Sequence, residues 1–333
     1  MRVWLSTFPR AGETEDVGRA AEAAGFHGLL LTDSQCLAGD PFVELGAVAD
    51  ATTSLHLGTC ASNVVTRHPT VVASLATTLQ ARSGGRMTLG IARGDSALTK
   101  VGLHPMGMEE FGAALDELRR LLRGDSVEID GDPVSLAWLD REMAPPSVIG
   151  VASGPHAIAE VARHADGLIL QVGSDPAAIA RCVEEARSTQ VTADFAIAAY
   201  VIVGLEVDGS APPIGGVTPL LARMAAETLG DGSSPQAHAS AEAVRAYTLA
   251  THGLAEAGEG HPEIEDYAVR GTAQECIESL RAIAGTGCDE LVVILGSMTT
   301  PTPELRDLIA AFGETVLPAL SGIEPNRRDP ASS

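Results

Sequence analysis

The chain reads as an α/β protein: a single (β/α)8 TIM barrel with a β-hairpin insertion after helix 4 and a helical insertion between strands 7 and 8. Three observations carry that reading. Short apolar runs alternate with amphipathic helical stretches along most of the 333 residues. The strand-like runs fall at Arg2–Ser6, Gly28–Thr32, Leu55–Cys60, Arg86–Ile91, Val148–Ala152, Gly167–Gln171, Phe195–Val203 and Glu290–Leu295, which is the barrel number. No long polar linker divides the chain near its middle, which disfavours the alternative of a two-domain doubly wound protein.

The helical patterns fit between the runs. Glu13–Ala24 opens on acidic residues that suit a helix start, Pro41–Ala51 follows Asp40 as a potential N-cap, and Thr70–Ser83 follows Pro69. Met108–Leu122, His156–His164, Pro176–Thr189 and Ala273–Gly285 complete the series. Ser126–Arg141 holds an Asp130-Gly131-Asp132 turn between apolar residues and reads as the hairpin. Leu205–Tyr267 holds two helical patterns bounded by Gly/Pro/Ser-rich stretches, a length suited to a lid or pocket wall, or to an elaborated outer helix. The barrel domain is expected over 1–320, with 321–333 as a disordered tail.

Composition narrows the partners. Hydrophobic residues make up 45% and charged residues 20%, a globular balance. The net charge of −22 disfavours nucleic acid and anionic membranes, so any anionic ligand must be held by a few local cations or by helix N-termini. The five cysteines are scattered without CxxC spacing and read as reduced thiols of a cytoplasmic protein. The opening residues lack a basic stretch followed by an apolar one, and no apolar run reaches about 18 residues. The nine histidines show no metal-ligand spacing, so no metal is expected.

Barrel chemistry sits where strands end, at their C-terminal side. The second run ends in Thr32-Asp33-Ser34-Gln35, the third in Cys60-Ala61-Ser62-Asn63 with Arg67 and His68 close behind. The fourth runs into a glycine-relieved loop with Arg93, Asp95 and Lys100, the only lysine in the chain. Three polar clusters in succession are harder to explain as ordinary surface turns than one. The fifth run ends at Ala152-Ser153-Gly154-Pro155 and enters a helix directly. Ser153 can cap, Gly154 lets a ligand approach the backbone, and Pro155 suits the first helical position, an order that makes a phosphate cradle as readily as a plain capped helix. No GxSxG, GxxxxGK[ST] or HExxH motif is present.

The segments LLLTDSQ, LGTCASNVVTRHP, LGIARGDSALTKVG, VIGVASGPHAIAEVARHADGLILQVG and RGTAQECIESLRAIAGTGCDELVV resemble the bacterial luciferase-like superfamily. The branch they resemble is that of coenzyme F420-dependent oxidoreductases related to methylenetetrahydromethanopterin reductase. The resemblance implies a homodimeric (β/α)8 barrel holding F420, or alternatively FMN, at the strand C-termini. It implies a non-prolyl cis peptide at Cys60–Ala61 in a bulge that also contains Ser62, and contact of Asn63 with the ring or its side chain. Ala152, Ser153, Gly154 and Pro155, with Gly173 further on, match the segments that hold the cofactor.

One departure matters. Related sugar-phosphate and alcohol dehydrogenases carry a catalytic histidine directly after the second-strand aspartate, where this chain has Ser34. Their catalytic glutamate aligns approximately with Asp95. The resemblance therefore implies hydride transfer from F420 to a small organic substrate at a C=C, C=N or iminium-like centre, rather than alcohol oxidation. Asp33 and Asp95 are the candidate proton-handling carboxylates, either of which burial could drive toward neutrality. Arg67, Arg93 and Lys100 are candidates for the anionic parts of the cofactor, and Ser34 and His68 for the substrate side. The alternatives are an FMN-dependent luciferase-like monooxygenase and a non-catalytic flavin-binding barrel.

Overall fold

The computed structural model describes residues 1–94, 96–99, 101–129, 131–189, 192, 194–210 and 267–324. Eight parallel strands close on themselves: β1 (Arg2–Thr7), β2 (Gly28–Leu31), β3 (His56–Thr59), β4 (Met87–Ile91), β7 (Ser147–Ala152), β8 (Gly167–Leu170), β9 (Ala196–Leu205) and β11 (Glu290–Leu295). β11 pairs with β1 from Arg2↔Glu290 to Ser6↔Ile294, and β9 pairs with both β8 and β11, so the ring has no gap. The remaining strands are β5 (Val127–Ile129) and β6 (Asp132–Val134), a separate antiparallel pair, and the short β10 (Val269–Gly271) beside the end of β9.

The helices are α1 (Thr14–Ala24), α2 (Pro41–Ala51), α3 (Pro69–Arg82), α4 (Ser96–Thr99), α5 (Met108–Leu122), α6 (Pro155–His164), α7 (Pro176–Thr189), α8 (Ala273–Ala284), α9 (Thr302–Thr315) and α10 (Leu317–Ser321). α2 begins as its sequence requires, with the Asp40 carboxylate accepting from Phe42 N at 2.9 Å and Pro41 in the first turn. α8 begins with a Thr272–Glu275 capping box. Four elements have no counterpart in the sequence reading: the single turn α4, the three-residue β10, and α9 and α10 behind the last strand. The expected helical insertion over Leu205–Tyr267 falls almost wholly outside the described residues. The described chain runs to Glu324, and the Met1 ammonium donates to the Ile323 carbonyl at 2.6 Å. The start of the expected tail is therefore docked against the N-terminus, and residues 325–333 lie outside the described ones.

The alternation of each strand divides the core in two. Outward residues such as Leu5, Leu29, Leu57, Leu89, Val148 and Leu291 bury against the helix ring. Inward residues, among them Trp4, Leu30, Cys60, Val151, Tyr200 and Ile294, fill the barrel. At its N-terminal floor Trp4 stands edge-on to the stacked rings of His27 and His56, whose centroids are 4.4 Å apart.

Burial, aided by His56 and Arg2, holds His27 down at about 4, and burial with Arg2 and Arg86 lowers His56. A histidine neutral when folded but protonated when unfolded contributes stability that is complete above its ordinary value of 6.5 and lost as pH falls toward 4. The melting temperature is thus expected to drop across that window, and His27→Phe to flatten the drop. An equally steep drop in that variant would assign the acid sensitivity to other groups.

Candidate functional site

The C-terminal mouth is organised around the end of β3. Cys60 N donates to the Leu31 carbonyl at 2.8 Å, the Cys60–Ala61 peptide is cis, and Ser62 rejoins the sheet as an isolated parallel bridge to Ile91. Ser62 N donates to Gly90 O, and Ala92 N donates to Ser62 O, both at 2.9 Å. Gly90 permits this crowding, since a Cβ there would stand 2.0 Å from the Thr59 carbonyl oxygen. The cis bond stands where the resemblance places it.

This bulge turns Ser62 onto Asp33. The Ser62 hydroxyl donates to Asp33 Oδ2 at 2.6 Å, and Arg67 Nη1 pairs with the same oxygen. Arg67 Nη2 reaches Asp40 Oδ2 at 2.6 Å, and the guanidinium lies over the Phe42 ring at 5.3 Å from its centroid. Burial works against the Arg67 charge, but the two carboxylates outweigh it and hold the guanidinium above its ordinary value. Asp33 is therefore ion-paired as well as buried, and Arg67 is already engaged by two acids. The Asp33 side chain is 1% exposed, and its Oδ1 has no partner among the described residues. Thr32 Oγ1 beside it is likewise buried without a partner.

Asn63 is buried, and its Oδ1 accepts from Val65 N at 3.0 Å and Thr66 N at 2.8 Å, folding the loop that delivers Arg67. Ser34 is buried, with its carbonyl accepting from Leu37 N and Ala38 N. His68 caps α3, its Nδ1 facing the Thr70 hydroxyl at 2.8 Å. In the fourth loop Arg93 Nε donates to the Met106 carbonyl at 2.7 Å, closing the loop on itself. Gly94 takes a left-handed φ of 80° there, a conformation glycine adopts without penalty. Asp95 and Lys100 lie outside the described residues.

Ala152 ends β7, and Ser153 and Gly154 lead into α6 with Pro155 in its first turn. Among the described residues no side chain caps this helix, whose leading N–H groups form its positive end. A Cβ on Gly154 would meet nothing within 4 Å. Gly173, with φ of 83°, turns the chain just after β8 on the same side.

Several mouth residues escaped the sequence reading. Tyr200 is buried inside the barrel beside Ser6 and Cys60, and burial pushes its phenol upward. Its signal was a lone aromatic at an inward position of AIAAYVIV, which reads equally as packing. Arg10 projects from the loop after β1, where its Nη2 donates to Ser297 O at 3.3 Å and burial lowers its basicity. Burial drives the Cys60 thiol up to about 12, so it is no nucleophile at neutral pH. Among the described residues no cluster of three or more His, Cys, Asp or Glu could hold a metal, and no helix is long and apolar enough to cross a membrane. The mouth thus combines a buried acid with one open oxygen, a glycine-relieved cis bulge and an uncapped helix end. That set suits a polar ring system carrying an anionic tail.

Comparison with known proteins agrees with this geometry. The sequence signature described as luciferase-like monooxygenase matches residues 2–290. An F420-dependent glucose-6-phosphate dehydrogenase of Beutenbergia cavernae is 34% identical over 171 residues, covering 46% of this chain and 50% of the relative. Its counterpart in Microbacterium testaceum is 31% identical over 182 residues, covering 49% and 54%. The chain thus spans about half the length of the curated relatives it matches. Among solved structures, a coenzyme F420 dependent tetrahydromethanopterin reductase from Methanopyrus kandleri superposes with a TM-score of 0.71 at 19% identity, covering 95% of this chain and 98% of that one. A monooxygenase from Streptomyces bottropensis gives 0.69 at 22% identity, covering 96% and 100%. At these identities the two structures speak for the barrel alone.

Proposed function

We propose that this chain, which belongs to the luciferase-like monooxygenase family, is an F420-dependent oxidoreductase that reduces a C=C, C=N or iminium-like centre of a small organic substrate. The observation that carries the cofactor assignment is the 34% identity to an F420-dependent dehydrogenase over 171 residues. The mouth fits the group. The positive α6 end and the empty space over Gly154 suit a phosphate, and the cis bulge with Asn63 suits the ring. When bound, F420 supplies the hydride chemistry. The chain's own residues orient it and exclude water, with Asp33 Oδ1, buried and without a partner among the described residues, able to accept a hydrogen bond. Asp95 stays the second candidate acid. Ser34 cannot take a proton from an alcohol as an imidazole would, which favours the reductive direction.

Titrating the purified protein with F420 and with FMN tests the assignment. F420 is expected to bind about tenfold or more tighter than FMN. Tighter FMN binding, with oxygen consumed by the reduced protein, would replace this reading with that of a monooxygenase. The homodimer belongs to the same proposal, on α2 and α3, where Val43 and Val71 are 70% and 47% exposed. Val43→Glu is expected to give a monomer by light scattering, and an unchanged mass would move the contact elsewhere.

A further inference from the structure

A cavity of about 450 Å³ lies at the floor of the barrel, not at its mouth. It opens where the strands begin and reaches the inward residues of the first layers. Its origin is a size imbalance. On one side the inward positions are small, with Thr88 on β4, Ser147 on β7, and Ala196 and Ala198 on β9. Opposite them stands the aromatic wall of Trp4, His27 and His56. Leu30, Ile149, Ile169 and Val292 line its apolar part. Cys60, Val151, Tyr200 and Ile294 lie further along the strands and pack the interior between this cavity and the mouth.

Several polar groups around the cavity are already paired with one another or with neighbouring residues. Glu290 accepts from Trp4 Nε1 at 2.5 Å and pairs with Arg2. Asp166 accepts from Arg119 Nε at 2.8 Å and from Val148 N at 2.9 Å. The Gln80 amide donates to Ala144 O and accepts from Met87 N. The histidine pair also lines the cavity, and neither ring makes a hydrogen bond with any described residue. Held neutral, each imidazole offers one N–H donor and one acceptor nitrogen.

We propose that this floor cavity is a second small-molecule site, taking an uncharged compound with an apolar, ring-bearing body and one hydrogen-bonding head. The volume lies in the range of ligand pockets. The body stacks against the Trp4–His27–His56 wall, and the head meets the imidazole nitrogens. An anion is disfavoured because Arg2 is already paired with Glu290 and the other charged groups lining the cavity, Asp166 and Asp194, are acidic, so an anion would lose hydration without a counterpart.

Trp4 reports on the site directly. The chain has two tryptophans, and Trp138 is 54% exposed on the surface. In a Trp138→Phe background of the full chain, 4-nitrobenzyl alcohol is expected to quench Trp4 fluorescence saturably. Ala198→Leu, which fills the cavity, and His56→Leu, which removes part of the head contact, are each expected to raise the half-saturation concentration about tenfold with unchanged circular dichroism. The anion 4-nitrobenzoate is expected to bind about tenfold more weakly than the alcohol. Quenching that rises linearly without saturation would overturn the site, as would half-saturation unmoved in whichever variants fold. Equal binding of the anion would overturn the uncharged class.

Discussion

Asp33→Asn is expected to lower folding stability by about 3 kcal/mol, and turnover of F420H2 with the enzyme's electrophile by about 100-fold or more. The stability loss follows from the pairing. The carboxylate is 1% exposed and shares one oxygen between the Ser62 hydroxyl and Arg67. Removing its charge leaves a half-buried guanidinium held only by Asp40, whose side chain is 42% exposed and a weaker partner for it. Keeping Asp40 sets the expected loss at the low end for a broken buried pair. The loss of turnover follows from the other oxygen, Oδ1, which is buried and unpartnered. Chemical denaturation and steady-state kinetics separate the two. A change below about 1 kcal/mol would show that Asp40 alone holds Arg67. Near-normal turnover in the folded variant would remove Asp33 from proton handling and leave Asp95 as the candidate.

Gly154→Val is expected to weaken F420 binding at least tenfold, about 1.4 kcal/mol, while changing stability by under about 1 kcal/mol. The two effects part company because of where Gly154 sits. Its backbone is extended, φ −93° and ψ 155°, which valine adopts without strain. A Cβ at that position meets no protein atom, so the branched side chain projects into the space over the positive α6 end. Gly154→Ala should show a smaller loss in the same direction. Unchanged affinity in a folded Gly154→Val protein would move the cofactor phosphate away from this helix.

The barrel was legible because period-2 burial and helix signals act within a few residues. The Glu290–Leu295 strand and the Pro41–Ala51, Met108–Leu122 and Pro176–Thr189 helices stand at the expected boundaries. α9 has no counterpart in the sequence reading although TPELRDLIAAFGET has helical composition, because it follows the strand that completes the barrel's eight. The mouth was legible as a set of strand ends, which brought Asp33, Ser62, Asn63, Arg93 and Gly154 to one face. Their pairings were not. Arg67 reads in sequence as a free cation, and only the closed ring of strands brings it onto Asp33 and Asp40, 34 and 27 residues away.

The sequence by itself determined the element order, the alternation that sorts inward from outward residues, and the loops that carry chemistry. Each of these rests on local backbone preference and on the period of hydrophobic side chains. The tertiary structure alone decided which charges cancel, which buried oxygens stay open, and that small residues on three strands leave a cavity opposite Trp4, His27 and His56. Those outcomes depend on distances between strands far apart in the chain, which strand register and barrel closure set and no local pattern encodes.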